Sequence, residues 1–355
     1  MDDTLLKSLI ESNRSVWDKD LTGKIAKKGL YEVWYIFIND LPSKEAYWIR
    51  YTLLVPRIDA KPGGTDLKGV SGLWLGHFNT NDSSKNFLVK NLHPLSLASG
   101  TKEIDGGKWS ILSIKDAQML LDGARGSITS ASGKKVSWEL NFSGFSEPYI
   151  HIPATGRILK LVSTFPKTTH PNIRVTGKIS INGEERNIYN APGMLTHVNG
   201  TRYGDPWVYV HCNAFKDAPD AYLEISARGK MCLFGFFDGE KKVFFNKITS
   251  LIKTSASWSL TDLSFSGKDK KYSVEGKVTL KKENLLGVEY LGPTGKKIYC
   301  YNTAVASAEV KVISRKYDTK EQEIKTYIAN ECAVMETIWL EPKEGLPLIR
   351  WDKEE

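Results

Sequence analysis

From Leu30 onward the chain is built of short strand-like runs. Segments such as "VWYIFI", "YWIRYTLLV", "GLWLGHF", "WVYVHC", "KMCLFGFF" and "AEVKVIS" are separated by Gly, Pro, Asn and Asp. They recur about every ten residues, and Tyr, Phe, Trp, Val and Ile dominate them. Such spacing leaves no room for the crossover helices of a parallel sheet, so it predicts an all-β sandwich or barrel of antiparallel strands. Two stretches depart from the pattern. "TLLKSLIESNRSVW" carries Leu5, Leu6, Leu9, Ile10, Val16 and Trp17 at helical spacing behind the cap-forming Asp2, Asp3 and Thr4, and predicts an N-terminal helix. "SIKDAQMLLDG" (113–123) reads as a second short helix.

An internal repeat divides the chain. "WYIFINDLPSKEAYWI" from Trp34 and "WVYVHCNAFKDAPDAYLEI" from Trp207 share a Trp, an apolar strand, an Asn- and Pro-containing turn, Ala-Tyr and a second strand. "LWLGHFN" and "CLFGFFD" follow in the same order, matching Gly76 with Gly235, Phe78 with Phe237 and Asn79 with Asp238. The offsets are near half the chain, which predicts tandem duplication of one β-domain. The turn-rich stretch 182–201 marks the junction, giving expected domains 1–190 and 191–355.

Composition narrows the function classes. The 355 residues carry a formal charge of +8, but their lysines are scattered in short pairs. That excludes the concentrated basic stripe of a nucleic-acid binder and leaves room for peripheral contact with an anionic membrane surface. No apolar run reaches membrane-spanning length and the N-terminus opens acidic, so the expected location is cytoplasmic. Cys212, Cys232, Cys300 and Cys332 show no CxxC or CxxH spacing, and the six histidines show no HxH or HxxxH. The expectation is buried free thiols, no metal and no cofactor. Phosphate-loop, GxGxxG, HExxH and GxSxG motifs are absent.

Candidate residues come from strand alternation. Trp207, Tyr209, His211 and Asn213 share one face, opposite Val208, Val210, Cys212 and Ala214. The first set is too aromatic for a solvated face and too polar for a dry core, so it is assigned to a ligand cavity, with His197 near its mouth. In "YEVWYIF", Glu32 stands alone among apolar residues on the face of Trp34, Ile36 and Ile38. A hairpin centred on Pro42 would set Trp34 opposite Arg50, with Glu32 diagonal to it. Two readings stay open: a Glu32–Arg50 ion pair over the indole, or Glu32 as a tuned acid in an apolar site.

These residues resemble a known family. "YEVWYIFIND…AYWIRYTLL", "GLWLGHF" and "GMLTHVNGTRYGDPWVYVHCNAF" are similar to the signature strands of hydroxyneurosporene-synthase and AttH-like proteins. The resemblance covers most of residues 30–215. It implies two tandem lipocalin-like, calycin-type antiparallel β-barrels and a large apolar ligand, isoprenoid or polyketide in type. The implied chemistry is acid-assisted hydration or cyclisation of a polyene. Glu32, His197 and His211 would be proton donors, and Trp34, Trp207 and Tyr209 cation-stabilising faces. A non-catalytic lipid or isoprenoid carrier, and a template that folds a reactive substrate, use the same cavity.

Overall fold

The computed structural model describes residues 2–17, 24–60, 68–152, 163–204, 206–315 and 322–351. Strands β1 (Leu30–Asp40), β2 (Glu45–Val55), β3 (Val70–Asn79) and β4 (Phe87–Pro94) form an antiparallel meander. Shorter strands follow: β5 (Ala98–Ser99), β6 (Lys102–Ile104), β7 (Lys108–Ile114), β8 (Ala117–Leu120), β9 (Gly123–Thr129) and β10 (Lys135–Ser143). After β11 (Tyr149–Ile150), a long hairpin of β12 (Thr164–Ile181) and β13 (Glu184–Gly200) returns to pair with β1. The second sheet repeats the plan. Its meander is β14 (Trp207–Cys212), β15 (Tyr222–Arg228), β16 (Met231–Phe237) and β17 (Lys242–Phe245). Next come β18 (Thr254–Trp258), β19 (Asp262–Lys268), β20 (Tyr272–Thr279) and β21 (Leu286–Leu291). The long hairpin is β22 (Lys297–Arg315) with β23 (Gln322–Trp339), and β24 (Leu348–Ile349) is a short C-terminal strand.

The spatial orders are β4-β3-β2-β1-β13-β12-β10-β9-β8-β7-β5 and β17-β16-β15-β14-β23-β22-β20-β19-β18. The meander joins its long hairpin in the same way in both, so β1 corresponds to β14 and β3 to β16, as the repeated motifs require. Each sheet curls on itself: β4 comes back against β9, and β16 against β18, where Ala256 N–H donates to Lys230 O. The chain leaves the first sheet at Gly200 and enters the second at Trp207. The division at 190/191 therefore falls inside β13, within the junction 182–201.

Three cores result. Trp34, Ile36, Tyr51 and Trp138 fill the first barrel, and Val208, Val210, Phe234 and Phe265 the second. The third lies between the barrels and takes Tyr35, Phe37, Trp48, Tyr209, Val288 and Val334. This explains why β1 is buried along its whole length: its even positions face the first barrel and its odd positions the second. All four cysteines are buried and free.

Two local expectations are corrected, and one element is new. The helix α1 (Asp3–Asn13) has the expected cap, with Leu5 N–H donating to Asp2, but it stops before Val16 and Trp17, whose N–H groups bind Glu32 instead. Residues 117–120 form β8, because hairpin pairing to β7 and β9 satisfies a backbone that local periodicity alone read as helix. A further one-turn helix, α2 (Lys24–Lys28), precedes β1.

Candidate functional site

The register of β1 and β2 decides which side chains meet. Residues 41–44 form a four-residue loop with Lys44 at φ +58°, and Asp40 pairs with Glu45. Arg50 thus stands opposite Tyr35, and Trp34 opposite Tyr51. This is one residue off the expected pairing. Because side chains alternate, the slip moves Arg50 to the opposite face from Glu32 and Trp34. Neither the Glu32–Arg50 pair nor an Arg50–Trp34 contact forms.

Glu32 is instead the anchor of the N-terminal segment. Its carboxylate accepts from Ser15 Oγ (2.7 Å), Val16 N (2.8 Å), Trp17 N (3.2 Å) and His197 Nε2 (2.8 Å). The other ring nitrogen, Nδ1, donates to Ser12 O at 2.9 Å. A carbonyl can only accept, so Nδ1 carries a proton and the second nitrogen serves Glu32. Trp34 stacks on His197, with centroids 4.4 Å apart and planes 6° apart, and donates to Asn13 O. Glu32, Trp34 and His197 are wholly buried inside the first barrel. His197 does not approach the cavity mouth.

A cavity of about 800 Å³ lies between the barrels. Tyr31, Tyr35, Tyr203, Trp207, Tyr209 and Tyr290 supply its aromatic wall. Burial pushes the Tyr35, Tyr203, Tyr209 and Tyr290 phenols well up, so they are neutral hydroxyls. Arg50 reaches the cavity from β2. Its guanidinium sits 4.8, 5.1 and 4.4 Å from the ring centres of Trp48, Trp74 and Tyr290. Its Nε and Nη1 have no hydrogen-bond partner among the described residues. A cation–π cage holds the cation in place without using its N–H donors. Glu336, from β23, also lines the cavity and accepts from Asn302 Nδ2 at 3.3 Å. Burial pushes its carboxyl above the ordinary value, against the opposing pull of Arg50.

The assigned face of β14 divides. Trp207 and Tyr209 line the cavity. His211 and Asn213, though on the same face, are not among its lining residues. Asn213 is pinned to Gly193 O at 2.7 Å and ties the barrels together. His211 Nδ1 meets Glu224 Oε1 at 2.8 Å, both fully buried. Val208, Val210, Cys212 and Ala214 pack into the second core. Glu224 also lies 3.3 Å from His151 Nε2. Tyr149, next but one to His151, covers this pair by packing over Gly235, where an added Cβ would sit 2.3 Å from its ring. That close approach is what the repeated glycine provides in the second barrel.

Burial acts to raise the Glu224 carboxyl, but the neighbouring imidazoles of His211 and His151 outweigh it and hold it at about 2, below an ordinary 4.5. A depressed carboxylate contributes its full stabilisation above pH 4.5 and loses it as pH falls toward 2. The contribution is on the order of 3 kcal/mol. Glu224→Gln is therefore expected to lower the neutral-pH melting temperature and to flatten its decline between pH 4.5 and 2. Melting curves across that range check it; parallel acid profiles for the two proteins would contradict it.

Glu336 and Glu224 were missed as candidates. Each is a lone carboxylate in an apolar strand, "AVMETIW" and "AYLEISA", the same signal that singled out Glu32.

No family model matches the chain, and no curated protein does. Solved structures do. An AttH-like protein of Nitrosomonas europaea aligns at TM-score 0.50 and 10% identity, covering 87% of this chain and 92% of that one. CghA in complex with Sch210972 aligns at 0.49 and 8%, covering 88% of each chain. Kievitone hydratase from Nectria haematococca aligns at 0.45 and 9%, covering 87% and 88%. With two curled sheets, a repeated strand order and the alignment to the Nitrosomonas protein, the chain has the tandem β-barrel fold of the AttH-like proteins that its strand motifs resemble.

Proposed function

We propose that the protein binds a large apolar ligand of isoprenoid or polyketide type between its barrels and promotes addition or cyclisation at a double bond conjugated to a carbonyl. The observation that carries this is Arg50: a guanidinium with two nitrogens unpaired among the described residues, caged by three aromatic faces, at the wall of a cavity of about 800 Å³. Its size suits a drug-sized or larger apolar molecule. A free carbocation beside a fixed guanidinium would be repelled. A carbonyl oxygen gathering negative charge would be stabilised by it. This favours an enone or polyenone over an isolated alkene. Arg50 binds the carbonyl oxygen, and Glu336, its carboxyl biased toward the protonated form, delivers a proton to carbon. Tyr35, Tyr203 and Trp207 hold the apolar body.

The test begins with the purified protein. Extraction with organic solvent followed by mass spectrometry should recover a conjugated apolar compound. Returned to the protein, it should gain the mass of one water or change retention at equal mass. Glu336→Gln should keep the ligand and lose at least about 100-fold in turnover. A ligand returned unchanged would make the protein a carrier. An empty cavity that also fails to take up the fluorescent polyene cis-parinaric acid would overturn ligand binding itself.

A further inference from the structure

A second polar cluster in the cavity wall is not used by the chemistry above. Tyr209 on β14 is directly opposite Ser226 on β15, and the next pair on the same face is His211 opposite Glu224. Against this patch lies His151, placed by β11, which pairs with β12 of the first barrel. His151 Nδ1 is 2.9 Å from Ser226 Oγ. His151 Nε2 is 3.0 Å from Thr168 Oγ1 and 3.3 Å from Glu224 Oε2. The Glu224 contact is electrostatic rather than an aligned hydrogen bond, since Oε2 has no partner of bonding geometry among the described residues. Glu224 accepts from His211 Nδ1 on its other oxygen. A carboxylate facing Nε2 favours the tautomer with the proton there. That leaves the Nδ1 lone pair to accept from the Ser226 hydroxyl. Ser226, His151 and Tyr209 all line the cavity, and the buried Tyr209 hydroxyl has no partner of bonding geometry among the described residues.

We propose that Ser226, His151 and Glu224 form a nucleophile–base–acid relay that gives the cavity an acyl-transfer activity toward hydrophobic esters or thioesters. Role and geometry, not chain order, define such a relay. Ser226 Oγ bonds to the acyl carbon as its proton passes to His151 Nδ1. The bond to the leaving alkoxide or thiolate breaks, and that group takes the proton from His151. Water then attacks the acyl-serine, gives its proton to His151, and Ser226 recovers it as the acid departs. The Tyr209 hydroxyl, directly opposite Ser226 across the strand pair, is the donor for the transient oxyanion. Glu224 acts through His151 and is a positioning residue. The relay stands independently of Arg50 and Glu336.

A fluorophosphonate with a long alkyl chain tests it without knowledge of the natural ester. It transfers its phosphonyl group to an activated serine oxygen and releases fluoride and a proton. Peptide mass spectrometry should find the adduct on Ser226. Ser226→Ala should abolish it, and His151→Gln should slow labelling about 100-fold. Circular dichroism confirms that each variant is folded. Glu224→Gln should move the pH profile of labelling downward, because a nearby carboxylate favours the protonated imidazole; a purely structural role would leave that profile in place. If His151→Gln fails to fold, the wild-type and Ser226→Ala comparison still decides. No adduct on Ser226 in folded wild-type protein, or labelling of His151→Gln at the wild-type rate, overturns the relay.

Discussion

Glu32→Gln is expected to lower stability by about 3–5 kcal/mol, the usual cost of removing one partner from a buried charge pair. For a barrel of this size that corresponds to a fall of about 10 °C in melting temperature. The carboxylate serves four donors: Ser15 Oγ, Val16 N, Trp17 N and His197 Nε2. An amide has one oxygen and adds two donors of its own, so part of the set is left buried and unpaired. The effect falls on the segment after α1, which loses its tie to the barrel interior. His197→Gln should cost a similar amount, and the double variant less than the sum, because both remove the same contact. Thermal unfolding followed by circular dichroism reads all three. The folded fraction of Glu32→Gln should still take up cis-parinaric acid, since the cavity lies on the other face of β1. An unchanged melting temperature would sink the anchor reading.

Arg50→Met is expected to act in the opposite sense on stability and on binding. Methionine keeps an unbranched body between Trp48, Trp74 and Tyr290 and removes a buried cation whose Nε and Nη1 have no partner. Stability should hold or rise, since buried donors left without hydrogen bonds among the described residues are a cost in the empty protein. Binding should weaken, because a hydrogen bond to a charged group contributes about 1.5–3 kcal/mol. That is a loss of roughly 10- to 150-fold in affinity. Titration with cis-parinaric acid, whose carboxylate can meet Arg50 and whose tetraene suits the aromatic wall, measures it. Undiminished affinity in a folded Arg50→Met protein would remove Arg50 from the site.

The hairpin of β1 and β2 shows where sequence reasoning stops. Alternation placed Glu32, Trp34, Ile36 and Ile38 on one face, as observed, with Trp34, Ile36 and Ile38 together in the first core. The partner across the hairpin depended on a four-residue loop closed by a left-handed Lys44, which no periodicity encodes. One residue of register separated a pair with Arg50 from the observed pair with His197, which lies 165 positions away. The face of β14 was legible for the same reason and incomplete for the same reason. Trp207 and Tyr209 reach the cavity, whereas His211 and Asn213 are taken up by Glu224 and by Gly193 of the other barrel.

Period-two patterning, turn residues and the internal repeat are local properties of the chain. They determined the antiparallel class, the two-fold plan and which residues share a face. The cavity is made by two barrels meeting, so its contents depend on contacts far apart in the chain. Arg50 of β2 and Glu336 of β23 meet there, as do His151 after β11 and Ser226 of β15. Only the packing of one barrel's outer face on the other decided that, because a lone charge in an apolar strand signals a buried partner without naming it.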